Sequence, residues 1–360
     1  MKNIKRQLLL TIILSLLSDV TFAYTGDLYL QAFNFNDSEV VPFQSVEKDW
    51  ASNYRSGTHA LSYQWYETGI RYKHWGFGLF QKNHTYLQFN SQTALIVHTI
   101  ASKQPIDNQS YTVDLKVKHF NSYGLRLFNT AIAKPHFQWL LGVSLIYGQD
   151  LVDGTLKGSV TALTNKDYQF NNIQLNYFYS KDKLFDQQAA RPRGEGYSID
   201  SEIYWQPDRR IKLQFISRDL LGRIYWKNAP TTVAVIESDN KTYDANGYVK
   251  VNATLQGNQS TRNFTQHLAP YFAAKGSYNL YKDMDFLLEV DRFSIKTYQQ
   301  IGISKTLMFQ TTGNLLYEFV THSVGINLKH KNIELQLMSD KLQPAKAHVF
   351  AALLNISYQY

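Results

Sequence analysis

Cysteine is absent from all 360 residues. That removes disulfide scaffolding, thiolate nucleophiles and thiolate metal sites together. Long apolar runs are missing as well. Residues 8–17 form a run of ten, about half of the ~20 that a membrane-spanning helix needs. With a mean hydropathy of −0.34, the chain is excluded from the helical membrane proteins. Catalytic signatures are also lacking: there is no Gly-x-Ser-x-Gly, no His-Glu-x-x-His, no P-loop and no dinucleotide-binding Gly-x-Gly-x-x-Gly. The formal charge is +8. The basic residues are spread through the chain without a dense run, so no nucleic-acid partner is expected. No cofactor and no metal site is expected either, and the chain reads as a non-enzyme.

What is present begins with a leader. Lys2, Lys5 and Arg6 precede the short apolar run, and Thr21-Phe22-Ala23 offers small residues where a signal peptidase reads. Residues 1–23 are therefore expected to be a secretory signal peptide, and residues 24–360 one domain. Aromatics are abundant, with 25 Tyr, 21 Phe and 6 Trp. Alternation is the dominant pattern. In the closing segment Leu354, Ile356, Tyr358 and Tyr360 fall on one face, and Asn355, Ser357 and Gln359 on the other. Phe137, Trp139, Leu141, Val143, Leu145 and Tyr147 repeat the pattern at six consecutive odd positions. A strand with one oily face, one polar face and aromatic ends suits the wall of a barrel in a bilayer.

Read this way, strands are expected near residues 28–36, 58–72, 77–102, 111–130, 137–147, 154–163, 170–179 and 197–205. Others follow near 211–215, 264–281, 284–297, 314–328, 333–338 and 347–360. The total is about fourteen, an even number that leaves both termini on one side. Tight connections at 73–76, 134–136, 165–167, 206–209, 282–283 and 329–332 alternate with longer ones. The longer set includes 37–57, 181–196, 222–263, 299–313 and 339–346. If the final strand ends in the periplasm, Trp75, Trp139, Trp205, Tyr278, Tyr281, Tyr358 and Tyr360 form one interfacial belt. Tyr147, Tyr179, Tyr197 and Trp226 then form the other. A soluble β-sandwich or propeller would also alternate, but explains neither the two aromatic levels nor the terminal aromatic strand.

With its leader, alternating strands, aromatic belts and closing Leu354-Asn355-Ile356-Ser357-Tyr358-Gln359-Tyr360, the chain resembles the bacterial outer-membrane β-barrels as a class. It ends in Tyr where such proteins commonly end in Phe. The resemblance implies an all-β, antiparallel up-and-down barrel of 12–16 strands without a plug domain, in the outer membrane. It implies lipid and lipopolysaccharide as surroundings, and periplasmic chaperones and barrel-assembly machinery as partners.

Inward-facing polar residues are the candidate site. Lys212, Gln214 and Arg218 share one face of a strand, and Tyr271 and Lys275 share that of the next. Asp285, Glu289 and Asp291 follow, then Glu334 and Gln336. Facing basic and acidic ladders could select polar or charged solutes, or pair with one another to stiffen the wall. Histidine chemistry finds little support: His98, His119, His136, His267 and His348 are isolated, and neighbours such as His322 and Ser323 point to opposite faces of a strand. The long segment 222–263 reads as a hairpin that either extends two barrel strands outward or folds inward as a gate. Three functions follow in order: a channel or transport barrel for small polar solutes or an extended polymer; a non-conducting barrel binding a surface polysaccharide, pilus or secretion partner; and a barrel hydrolase.

Overall fold

The computed structural model describes residues 26–46, 48, 50–104, 108–163, 168–182, 190–238, 241–243, 249–251, 255–294 and 296–359. The leader, the turn at 165–167, the tip at 244–247 and Tyr360 lie outside the described residues. The chain begins with β1 (Gly26–Ser38), β2 (His59–Tyr72), β3 (Trp75–Phe89), a helix α1 (Ser91–Ser102) and β4 (Ser110–Lys134). Next come β5 (Phe137–Ala162), β6 (Tyr168–Tyr179), β7 (Arg193–Trp205) and β8 (Ile211–Ile236). A small hairpin, β9 (Lys241–Tyr243) and β10 (Val249–Val251), precedes β11 (Leu255–His267). The remainder is β12 (Tyr271–Tyr281), β13 (Met284–Phe293), β14 (Lys296–Thr306), β15 (Thr311–Glu318), β16 (Ser323–His330), β17 (Ile333–Ser339) and β18 (Val349–Gln359).

Sixteen of these strands form one antiparallel sheet, closed where β18 pairs with β1. Two staves are broken. β6 and β7 both descend between β5 and β8, one above the other. β11 and β12 likewise both descend along β8. The barrel therefore has fourteen staves, the expected count. Its membership differs from the sequence expectation. Residues 154–163 continue β5, and 170–179 is the upper half of the stave that β7 completes. In their place, residues 296–306 form a full strand, and 314–328 is split by a tight turn at 319–322.

The start of β1, the end of β18 and the turns at 73–74, 135–136, 206–210, 282–283, 307–310 and 331–332 lie at one end, which we take as periplasmic. The segment 299–313, expected as a long outer loop, is most of β14 and a short periplasmic turn. At the opposite end Asn90 stops β3 and starts α1: its side chain accepts from the Thr93 backbone N–H at 2.7 Å. β4, β5 and β8 have 25, 26 and 26 residues, where roughly ten cross a bilayer. With β6 and β11 they project outward as a tall sheet. Segment 222–263 is the upper part of that sheet, carrying the β9–β10 hairpin.

The outer face carries the apolar alternation. Leu141, Val143 and Leu145 are exposed, whereas Gly142, Ser144 and Ile146 are buried. Leu30, Ile70, Leu79, Leu127, Leu288, Leu315, Ile326 and Leu337 continue the exposed band around the wall. So large an apolar surface is stable only against lipid. Trp75, Trp205, Tyr278, Tyr281 and Tyr358 are exposed at its periplasmic edge, and half-buried Trp139 donates its indole N–H to Ser201 Oγ at 2.9 Å. At the outer edge four exposed tyrosines on adjacent staves form a line. Tyr123 lies 5.0 Å from Tyr147 and Tyr197 6.4 Å from Tyr225.

Two belt expectations are corrected. Tyr179 is buried at 3% exposure; it stacks on Tyr177 at 4.7 Å and meets the Thr232 hydroxyl. The break after β6 folds Asp182 against this face, where its carboxylate accepts from Tyr177. Trp226 is 1% exposed and faces inward, donating to Gln266 at 3.2 Å. It shares parity with Gln214 and Arg218. Two register shifts place two extra residues in β8 between Ser217 and Arg223, so the alternation resumes in phase.

Candidate functional site

The lumen is occupied by side chains reaching across it. β1 and β12 stand opposite one another, seven staves apart either way round the ring. Even so, Phe33 of β1 and Tyr271 of β12 have ring centroids 6.4 Å apart. Phe35 stacks on Phe293 at 4.6 Å, and Tyr63 on Tyr271 at 5.9 Å. These aromatics join Tyr298 in one buried cluster. The barrel is pinched at mid-height, where two walls share one core.

Beside the aromatic contact lies a buried ionic one. Lys82 on β3 bonds both carboxylate oxygens of Asp219 on β8 at 2.6 Å. Arg126 donates to Asp200 at 2.8 Å and to Glu67 at 3.3 Å, and Tyr29 donates to the same Glu67 oxygen at 2.5 Å. Arg218 lies 3.7 Å from Asp200 and from Glu202. Trp65 sits among the three cations, with Arg218, Lys82 and Arg126 at 4.4, 5.1 and 5.7 Å from its ring. Three cations thus face Glu67, Asp200 and Asp219, all buried in the lumen wall. Such charges persist only when paired, because desolvation of an isolated ion costs several kcal/mol (roughly).

Local backbone positions two of these groups. Asp219 and Leu221 adopt left-handed φ of 57° and 53°. The bulge this creates turns Asp219 inward although its odd-numbered neighbours Leu213 and Phe215 lie on the lipid side. Gly78 makes room for the Tyr29–Glu67 pair: a Cβ there would sit 2.6 Å from both the Tyr29 hydroxyl and a Glu67 carboxylate oxygen.

Below the pinch is a cavity of about 300 Å³, and adjoining it a second of about 260 Å³. They share Gln214, Lys275, Glu289, Gln300, Glu334 and Gln336 in their walls, and form one polar vestibule on the periplasmic side. Of the candidate residues, Gln214, Arg218, Tyr271, Lys275, Glu289, Asp291, Glu334 and Gln336 line the first cavity. Lys212 lines the second, exposed near the mouth. Asp285 lies lower on the inward face of β13, accepting from Asn279 at 2.7 Å. Within the ladder the charges partly pair: Lys275 bonds Glu289 directly. Asp291 accepts from Tyr271 at 2.6 Å and Gln300 at 3.1 Å. Glu334 accepts from Asn327 at 2.8 Å and Asn355 at 3.1 Å.

The sequence reading did not single out Trp65, Glu67, Lys82, Arg126, Asp200 or Asp219. A signal was present in the first five. Leu125-Arg126-Leu127 places one charge between two lipid-facing leucines, and the alternation puts that charge inside.

At the outer mouth a second polar group joins β1, β2 and β14. His59 lies 3.0 Å from both Asp37 and Glu39, Lys296 lies 3.2 and 2.9 Å from the same carboxylates, and Tyr298 donates to Asp37 at 2.6 Å. Glu39 lies in the connection beyond β1. Burial raises its pKa, but hydrogen bonds from His59 and Lys296 outweigh this and hold its carboxyl well below the usual range. Among the described residues no group of three or more His, Asp or Glu is placed to hold a metal. Among the other histidines, His98 bonds Trp50 O, His322 the Tyr317 hydroxyl and His348 Ser38 O.

The chain is thus a transmembrane β-barrel of the bacterial outer-membrane type. No family model and no curated protein matches its sequence. Among solved structures it is similar to "TodX deltaS2S3 mutant monoaromatic hydrocarbon channel", at 9% identity and a TM-score of 0.44 over 95% of this chain and 91% of that one. The Pseudomonas putida toluene transporter TodX matches at 9% identity and 0.38, over 94% and 89%. The Escherichia coli outer membrane protease OmpT matches at 8% identity and 0.26, over 95% and 99%. These likenesses are of barrel to barrel; transporters and a protease stand side by side among them.

Proposed function

We propose that the protein is a gated outer-membrane transport barrel for small polar solutes. Its vestibule receives solute from the periplasmic end, and the aromatic and ionic pinch is the closed gate. One observation carries this reading: a polar chamber of about 300 Å³ lies directly beneath a constriction made by contacts between opposite walls. A wall-stiffening role alone would pair neighbouring staves; Lys82 and Asp219 instead span from the third stave to the seventh. Solute passage requires those contacts to part, and paired charges with aromatic faces re-form when it has passed.

A second reading is a non-conducting barrel whose outer sheet binds a surface partner. The projection of β4, β5, β6, β8 and β11 beyond the bilayer favours it. Recordings in a planar bilayer separate the two. The wild-type barrel is expected to conduct little, and Trp65→Ala, which removes the ring held among three cations, to give larger and more frequent openings. Silence from a folded Trp65→Ala barrel would count against transport and for the surface-binding role.

A further inference from the structure

We infer that the vestibule beneath the pinch is a binding site for a small organic cation bearing an ammonium group. This deepens the transport reading and rests on it for its biological meaning, though the site itself is tested separately. The charges in the first cavity wall differ in how they are paired. Arg218 is held between Asp200 and Glu202, each at 3.7 Å, and Lys275 is bonded to Glu289. Glu334 receives hydrogen bonds only from Asn327 and Asn355, Asp291 is held by Tyr271, Gln300 and the neighbouring Glu289 carboxyl, and neither has a Lys or Arg nitrogen within 4.0 Å among the described residues. The chamber therefore carries surplus negative charge in a region walled off from the outer solvent, where a carboxylate attracts a cation more strongly than in water.

An independent observation points the same way. Gln300 is 5% exposed, lines the cavity and donates to Asp291, leaving its Oε1 buried with no hydrogen-bond partner. Beside a carboxylate, an orphaned buried acceptor suits an N–H donor, whereas the orphaned donors of the same cavity, Tyr63 Oη, Trp65 Nε1 and Arg218 Nη1, belong to residues of the pinch above. The roof above them is aromatic: Phe33, Tyr271 and Phe293 line the same cavity, and ring faces favour an alkylammonium over an anion. A volume of about 300 Å³ admits a molecule of amino-acid or aryl-amine size.

Titration calorimetry on the folded protein in detergent tests this with three probes of one shape: benzylammonium, benzyl alcohol and benzoate. Benzylammonium is expected to bind about tenfold or more tightly than the other two, a difference equivalent to one good charge-assisted contact. Asp291→Asn and Glu334→Gln, each checked for folding by heat-modifiable gel migration, are expected to erase most of that preference. Benzoate or benzyl alcohol binding as well as benzylammonium would overturn the inference, as would an unchanged preference in both variants. Cation binding by a barrel that never conducts would leave the site standing and sink the transport reading. Conductance without cation binding would do the reverse.

Discussion

At the residue scale, parity decides what each side chain meets. Leu141 is exposed on the lipid face, and Ser144, three positions on, is buried in the lumen wall. Leu141→Lys is expected to cost about 2–4 kcal/mol near the bilayer midplane, where a lipid-facing ammonium cannot be solvated. Folding titrations into lipid vesicles should show a much smaller effect for Gln336→Lys, which points into the polar chamber beside Glu334; equal effects would overturn the assignment of faces. Inside the pinch, Glu67 accepts from both Tyr29 and Arg126. Glu67→Ala leaves Arg126 with Asp200 alone and is expected to destabilise the barrel by about 3–5 kcal/mol, since the loss exposes an imperfectly compensated buried charge. A lowered denaturant midpoint in the same vesicles checks this. The sequence made parity legible, and Leu125-Arg126-Leu127 already contained the inward charge. It could not say that Arg126 would meet Asp200, because that contact joins residues 74 apart.

Elements show where alternation misleads. The span 77–102 contains apolar residues throughout, but Asn90 caps a helix there and ends the strand. Asn90→Ala is expected to cost α1 about 1 kcal/mol, the usual worth of an N-cap. Hydrogen exchange should rise within residues 91–102 and stay unchanged in β3 and β4; uniform exchange would contradict the capping role. Broken staves are the second trap. Residues 170–179 and 197–205 each look like a complete strand, yet they share one stave because β5 and β8 are long enough to hold both. Conversely, residues 299–313 read as a loop because the lipid-side residues Ile301 and Ile303 are separated by a glycine at Gly302, which is packed against Leu315 and Leu316. Pairing partners, which no single segment contains, decided both cases.

For the whole molecule, the ionic tie at the outer mouth is expected to depend on protonation. Glu39 ties the connection after β1 to His59 and Lys296. Its folded pKa is depressed, so its contribution is present above the ordinary carboxylate range and is lost as pH falls below that range toward the depressed value. The connection between β1 and β2 is expected to become more open to pepsin between roughly pH 4 and pH 2, and Glu39→Gln to be equally open at both. Acid-independent cleavage of the wild type would refute the tie. The same scale fixes the meaning of the lumen candidates. Gln214, Lys275, Glu289 and Glu334 sit together in one chamber because staves seven, eight, nine and thirteen face a common space.

The sequence by itself determined the barrel, the lipid-facing side of most strands and the end that bears most of the short turns. All of these follow from a period of two, aromatic placement and turn chemistry, which are local. Only the tertiary structure decided that side chains meet across the lumen. Whether inward residues leave a pore or meet across it depends on how far the ring flattens and which opposite walls touch. Phe33 with Tyr271, and Lys82 with Asp219, are pairings between distant segments, and alternation gives the direction a side chain points but not what stands in front of it.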